Sequence, residues 1–229
     1  MILSDIATRV RTLLNDQTAP YRWLDSEIIL WTNDAQKMIV INRPDSCVQN
    51  SVVSLVAGTL QSVPSTAIRL LDVVRNMGAD GSTPGRAIRI VERDLVDSLD
   101  PNWHAAKGAL VIKNFMYDER NPRQFFVNPP ATSSSKVLVS CSKNPATLTA
   151  LTDTLEVNDI YLQVIVDYVM FRAYSKDAEF SANAQLASGY LQAAYAMLGI
   201  KLKKDVGFSP ELNNRGASPS TAAIKEGGV

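Results

Sequence analysis

Phe180-Ser181-Ala182-Asn183-Ala184-Gln185-Leu186-Ala187-Ser188-Gly189-Tyr190-Leu191-Gln192-Ala193-Ala194-Tyr195-Ala196-Met197-Leu198 sets the fold class of this chain. Phe180, Ala184, Ala187, Leu191, Ala194 and Leu198 recur at alternating steps of four and three, which is the seam of a helix that packs along another helix. The alanines in that seam allow close approach. The seam predicts a helix over 178–201, ending at Gly199, and the preceding 158–176 reads as its partner. At the other end of the chain, 4–16 and 25–43 read as a second pair. There Ser4 is the expected cap of the first helix and Asp25 that of the second, with Leu24 and Ile29 as a hydrophobic staple. Ile28, Trp31, Ala35, Met38 and Ile39 form one stripe, and Pro44 ends the helix.

A two-helix hairpin leaves part of such stripes exposed, so the ends of the chain are expected to coalesce. The expected core comprises Trp31, Ala35, Met38, Val164, Tyr168, Ala187, Leu191, Ala194 and Leu198. The predicted class is α+β, with a four-helix bundle from residues 1–44 and 155–202. A β-rich module, 45–154, leaves that bundle and returns to it, and 203–229 follow as an extended tail.

Between the helical ends the period changes to two. Val53, Leu55 and Ala57 alternate with Ser54, Val56 and Gly58. Ala57-Gly58-Thr59 reads as a hairpin turn into Leu60–Pro64. Ile68–Arg75 is a further strand, closed by the glycine-rich Gly78–Gly85 as a hairpin tip, and Ala87–Val91 is another candidate. Asp94 is expected to cap a short helix reaching Asp100-Pro101. Leu110–Phe115 and Gln124–Val127 read as antiparallel neighbours turned by Asp118–Pro122. Asn128–Ser135 reads as polar connector, and Lys136–Ser142 as the last strand. Five to seven strands suit a small sheet or a sandwich.

Composition narrows the function. Lys+Arg 23 balance Asp+Glu 23, whereas a protein built to grip phosphates carries a basic excess. No apolar run nears the ~20 residues of a membrane span, and Met1-Ile2-Leu3-Ser4-Asp5 has no secretory pattern. Cys47 and Cys141 lack metal-ligand spacing and read as reduced structural thiols, with a disulfide as the alternative. His104, the one histidine, has no nucleophile in a strained turn to serve. Gly78–Gly85 lacks the lysine and following helix of a phosphate loop. No catalytic residue, metal site or cofactor is expected.

Glu92, Asp94, Asp97 and Asp100 cluster, as do Asp118 and Glu119. Paired carboxylates serve glycosidic cleavage, but caps, a solvated helix face and a turn account for these. Tyr161, Tyr168 and Tyr174 near Arg172 read as bundle packing around a satisfied arginine.

Several strings resemble tailed-phage head-to-tail adaptor proteins. They are Trp23-Leu24-Asp25-Ser26-Glu27-Ile28 through Asn33-Asp34-Ala35-Gln36, then Val56–Pro64 followed by Leu70–Asn76. Asp100-Pro101-Asn102-Trp103-His104 and Phe125–Pro130 continue the order, and Arg172–Glu179 closes it. The expected shape is also similar to tail tubular protein A of short-tailed phages.

The resemblance implies a structural virion component at the portal–tail junction, made in the host cytoplasm. It implies a homo-oligomer, a twelve-subunit ring, that touches the portal protein and tail or nozzle proteins. Double-stranded DNA would pass through without sequence-specific binding, and no membrane is involved. The tail, roughly 30 Å collapsed and about 90 Å drawn straight, is expected to bind the portal or a neighbouring subunit. Phe208 and Leu212 are its anchors, and Lys203, Lys204 and Arg215 supply charge. The alternatives are a virion-borne cell-wall-cleaving enzyme using Glu92 or Glu119, and a soluble nucleic-acid-binding regulator.

Overall fold

Helix α4 (Leu162–Lys176) organises the helical part of the molecule. Val164, Ile165, Val166, Val169, Met170 and Ala173 are all buried on it, and a helix apolar around most of its circumference has to sit centrally. Against it pack α1 (Leu3–Leu13), α2 (Asp25–Asn42) and α5 (Ser181–Phe208), whereas α1 and α2 touch each other only slightly. Among the described residues, α5 packs appreciably on α4 alone. The computed structural model describes residues 1–177 and 181–208, the side chains of Ser181 and of 200–208 excepted.

One core joins all four helices. Ile6 and Val10 of α1, Trp31 and Ile39 of α2, and Ala194 and Leu198 of α5 meet the buried side of α4 there, with Leu148, Leu155 and Val157 from the preceding loop. Of the expected core residues, Trp31, Ala35, Val164, Ala187, Ala194 and Leu198 are buried, and Met38, Tyr168 and Leu191 are half-buried. Ala184 is exposed, and Phe180 lies outside the described residues.

The middle of the chain forms two four-stranded sheets. The strands are β1 (Val48–Ser54), β2 (Gly58–Ser62), β3 (Ala67–Met77), β4 (Pro84–Ala87), β5 (Arg89–Ile90), β6 (Asn114–Tyr117), β7 (Gln124–Ala131) and β8 (Lys136–Lys143). One sheet has the order β1-β8-β3-β4 and the other β2-β7-β6-β5. All pairs are antiparallel except β5 with β6. Val73 of β3 and Val137, Val139 and Cys141 of β8 meet Phe115 of β6 and Phe125 and Val127 of β7 in one core. That alternation of inward residues is what a sandwich requires. A short helix, α3 (Arg93–Leu99), joins β5 to β6 and covers Trp103 and Met116 with Val96.

Several local expectations are corrected. Ser4 lies inside α1, whose first amides are satisfied by the backbone: Leu3 N donates to Asp153 O at 3.0 Å and Ser4 N to Leu151 O at 2.9 Å. No side-chain cap is needed where a neighbouring loop supplies the acceptors. Asp25 is the first residue of α2, not its cap, and Glu27 accepts the Leu24 amide at 3.2 Å. Asp94 likewise falls within α3, which begins after Glu92.

β1 and β2 are not a hairpin. They belong to opposite sheets, and the chain crosses between them at Leu55–Ala57, with Gly58 at φ 116°. β7 runs on through Pro129 and Pro130, where a connector was expected. The β6 ladder ends at Asn128 and the β2 register shifts before Ala131, so neither proline is asked for an amide. α5 continues past Gly199 to Phe208, so the first residues of the expected tail are helical. Among the described residues, no helix is long and apolar enough to cross a membrane.

Candidate assembly surfaces

Arg11 fixes the corner between α1 and α2. Arg11 is 8% exposed, and its guanidinium donates to Asp16 at 3.0 Å, to the Trp23 carbonyl at 2.9 Å and to Asp25 at 2.5 Å. Tyr21 lies against the same group, ring centroid 3.7 Å from Cζ. Asp16 in turn accepts the Arg22 and Trp23 amides at 2.9 and 3.1 Å. Burial raises the pKa of Asp16, but those two amides and the charges of Arg11 and Arg22 outweigh it and hold the carboxyl below its ordinary value. The loop from Asn15 to Leu24 is therefore a rigid elbow.

The far end of α4 closes on this elbow. Lys176 Nζ donates to Glu27 at 2.5 Å and lies 5.4 Å from the Trp23 ring centroid. Arg22 pairs with Asp177, and Arg172 with Asp34 at 3.9 Å. Two strings that lie about 140 residues apart in sequence, 23–36 and 172–179, thus meet as one surface (Ala178 and Glu179 lie outside the described residues).

Three buried amide side chains hold the loops to the scaffold. Asn33 of α2 both donates to the Leu148 carbonyl and accepts its amide, each at 2.9 Å. Gln61 of β2 binds Val56 N and O at 2.9 Å and Gly58 O at 3.0 Å, and so shapes the crossing between the sheets. Asn76 of β3 donates to Arg86 O at 2.9 Å and Ile112 O at 2.7 Å, and accepts from Ile112 N at 2.7 Å. All three lie in strings that carry the resemblance. Their chemistry is that of fasteners, since a buried amide with paired backbone partners fixes a loop without offering a reactive group.

The two acidic clusters of the sequence meet in space. Glu92, Asp94, Asp97, Asp118 and Glu119 line one cleft of ≈ 630 Å³ with Arg93 and Arg120. Several have structural partners. Asp97 accepts Trp103 Nε1 at 2.6 Å and pairs with Arg93 at 3.3 Å, Asp118 accepts the Arg120 amide at 2.9 Å, and Glu119 pairs with Arg69 at 3.4 Å. His104 Nδ1 lies 2.9 Å from Thr59 Oγ1 and stacks on Trp103, at the end of the 3₁₀ turn Trp103–Ala105. No described group of three or more His, Cys, Asp or Glu residues has the geometry to hold a metal ion. Cys47 and Cys141 are buried free thiols in the helical and sheet cores respectively. Burial raises both, Cys141 to about 11.

Lys203, Lys204 and Phe208 fall on α5, with side chains that are not described, and Leu212 and Arg215 lie outside the described residues. Sequence reasoning missed Arg11, Asp16, Asn33, Gln61 and Asn76. The available signal was a lone amide or charge inside an apolar run, which is costly unless partnered. It also missed Asp167, 5% exposed on α4, which burial raises above the ordinary aspartate value and which accepts Gln163 Nε2 at 2.7 Å.

A family model described as SU10 adaptor protein matches residues 1–216 of the chain. No curated protein matches it.

Proposed function

This chain belongs to the SU10 adaptor protein family, and from that membership we propose that it is the head-to-tail adaptor of a tailed phage, a ring that joins the portal to the tail and frames the DNA exit channel. One observation carries the reading: the family model spans both the helical and the β-rich parts, residues 1–216. The role is structural. The elbow at Arg11, the clasps at Asn33, Gln61 and Asn76, and the α2–α4 ion pairs support a rigid wall instead of a reactive pocket.

The ring has twelve subunits, and its partners are the portal protein above and tail or nozzle proteins below. Residues 1–44 with 155–202 form the wall, 45–154 project from it, and 203–229 reach a partner. A likeness of shape to tail tubular protein A of short-tailed phages goes with this arrangement. The subunit is made in the host cytoplasm and ends in the virion, at the portal–tail junction. A neutral chain lets DNA slide past, because few phosphate contacts form and those that do are weak at physiological salt.

Electron microscopy of the particle tests the proposal. Density for this chain at a single vertex, repeating with the portal's symmetry, is the expected result. Purified protein that never changes size on addition of portal, and is missing from that vertex, overturns it. Retained ring attachment after deletion of residues 203–229 overturns the role given to that segment.

A further inference from the structure

Between α4 and α5 the surface holds a furrow of ≈ 610 Å³, lined by Asp167 of α4 and by Ala182, Leu186, Gly189, Tyr190 and Ala193 of α5. Ala182, Leu186, Gly189 and Ala193 recur at steps of four and three, so they share one stripe of the helix. Asp167 is the charged residue among those that line the furrow. It is 5% exposed and accepts Gln163 Nε2 at 2.7 Å, and no lysine, arginine or histidine among the described residues pairs with it.

Two of these residues destabilise the subunit, and nothing described in it makes use of them. Burial raises Asp167, so its charge opposes folding at neutral pH, whereas an asparagine there would accept from Gln163 without that opposition. Gly189 lies in the interior of a helix, where glycine is less favourable than alanine. A Cβ at that position would meet nothing within 4 Å, so no close approach inside the subunit requires its absence. Around them α5 carries no charge from Phe180 to Ile200, yet Leu186 is 46% exposed, Tyr195 49% and Met197 39%. Interface cores are likewise poor in charge and rich in tyrosine and methionine.

A carboxylate without a cation, set in an otherwise uncharged furrow, selects a positive partner. We propose that the furrow receives an arginine side chain of a partner protein, whose flanking apolar residues lie along α5. Arginine suits it better than lysine, because a planar, weakly hydrated guanidinium forks onto a carboxylate and stacks on an aromatic ring together. Both surfaces are present. Tyr190 lines the furrow beside Asp167, and burial, Tyr174 and the Asp167 charge together raise its phenol. Tyr174 stacks on one face of the Tyr190 ring, centroids 5.7 Å apart and planes 7° from parallel, and the guanidinium takes the other face. The side chain that Gly189 lacks leaves width for it, and Leu186 meets the apolar flanks. The adaptor reading above supplies only that the partner is a protein; the cation follows from the furrow.

Calorimetric titration of the full-length protein with the acetylated, amidated peptide alanine-leucine-arginine-leucine-alanine tests this. The control peptide carries citrulline, a neutral isostere, in place of arginine. The arginine peptide is expected to bind about tenfold more tightly than the citrulline one, the worth of a charge-assisted hydrogen bond. Asp167→Asn is expected to abolish that preference while melting higher than the wild type at neutral pH, so the loss is not a lost fold. Gly189→Ala narrows the furrow, and is expected to weaken the arginine peptide severalfold while it too raises the melting temperature. Equal binding of the two peptides, binding of neither, or a preference that survives Asp167→Asn overturns the proposal. A Gly189→Ala variant that binds like the wild type overturns the part given to the glycine.

Spermidine is the probe for a free amine. Binding that needs Asp167 and is tighter than that of the arginine peptide makes the furrow a site for small cations and overturns the protein partner. Ring formation on the portal is scored separately, by microscopy of the unmodified protein. A ring without the arginine preference refutes the furrow's role and leaves the adaptor reading standing. The preference without a ring refutes the adaptor reading and leaves the furrow's role standing.

Discussion

Arg11 shows how one side chain commits a whole corner. Replacing it with alanine takes from Asp16, whose side chain is 9% exposed, the guanidinium that it hydrogen-bonds, leaves it the Arg22 and Trp23 amides, and frees the Trp23 carbonyl. Hydrogen bonds to charged groups contribute about 1.5–3 kcal/mol, so Arg11→Ala is expected to lower the melting temperature measurably in a thermal scan. Asn33→Ala unpairs both backbone groups of Leu148 and is expected to cost about 2–3 kcal/mol in a denaturant titration. A cost under about 0.5 kcal/mol would mean that the clasp is not structural.

Carboxylates on the wall also set a pH dependence. The hydrogen bond from Lys176 holds Glu27 below its ordinary 4.5, that from Lys143 does the same for Glu156, and the Thr149 and Ala150 amides hold Asp153 below its ordinary 3.8. Depressed folded values contribute stability that is present above the unfolded pKa and lost as pH falls through the folded one. Asp167 runs the other way. Burial raises it, so its charge opposes folding at neutral pH and the opposition fades as the medium acidifies. Asp167→Asn is expected to raise the melting temperature at pH 7, with the gain shrinking as pH approaches the ordinary aspartate value of 3.8. A gain that grows on acidification contradicts the assignment.

At the scale of elements, α5 is the informative one. From Phe180 to Ile200 its sequence has no charged residue, yet among its described side chains only Ala187, Ala194 and Leu198 are buried. Ala194 is 0% exposed, and close approach to α4 depends on its size. Ala194→Leu overpacks that contact and is expected to cost about 1–3 kcal/mol, whereas Leu186→Ser, at an exposed position, is expected to change the melting temperature little.

The seam of small and apolar residues was legible because helical periodicity is local. The helix end was not, since nothing local stops a helix at a glycine when the residues beyond still favour it. Caps were misread for a related reason. Ser4 and Asp25 are good local caps, but a neighbouring loop and Arg11 had prior claim on the groups involved.

For the whole molecule, the acidic cleft poses the sharpest question. Glu92 and Glu119 lie in different turns of the sequence and line one cavity, which is the least that a sugar-cleaving reading asks for. Their neighbours are spent on structure instead. Glu92→Gln with Glu119→Gln is therefore expected to leave particle assembly unchanged. Wild-type protein is expected to show no clearing of a peptidoglycan suspension, and clearing that the double variant loses would install the enzyme reading.

Periodicity, proline and glycine placement, and charge balance gave the helical ends, the β-rich middle and the absence of a phosphate-gripping surplus, because each is written within a few residues of itself. Which sheet each strand joins was decided elsewhere. β1 and β2 look like a hairpin locally, yet the partners that satisfy their edges are β8 and β7, from the far side of the module. Long-range pairing also brought 23–36 onto 172–177 and put Ile41 and Ile68 on one groove. Those juxtapositions follow from where buried groups find partners across the fold, and neighbouring residues carry no record of that.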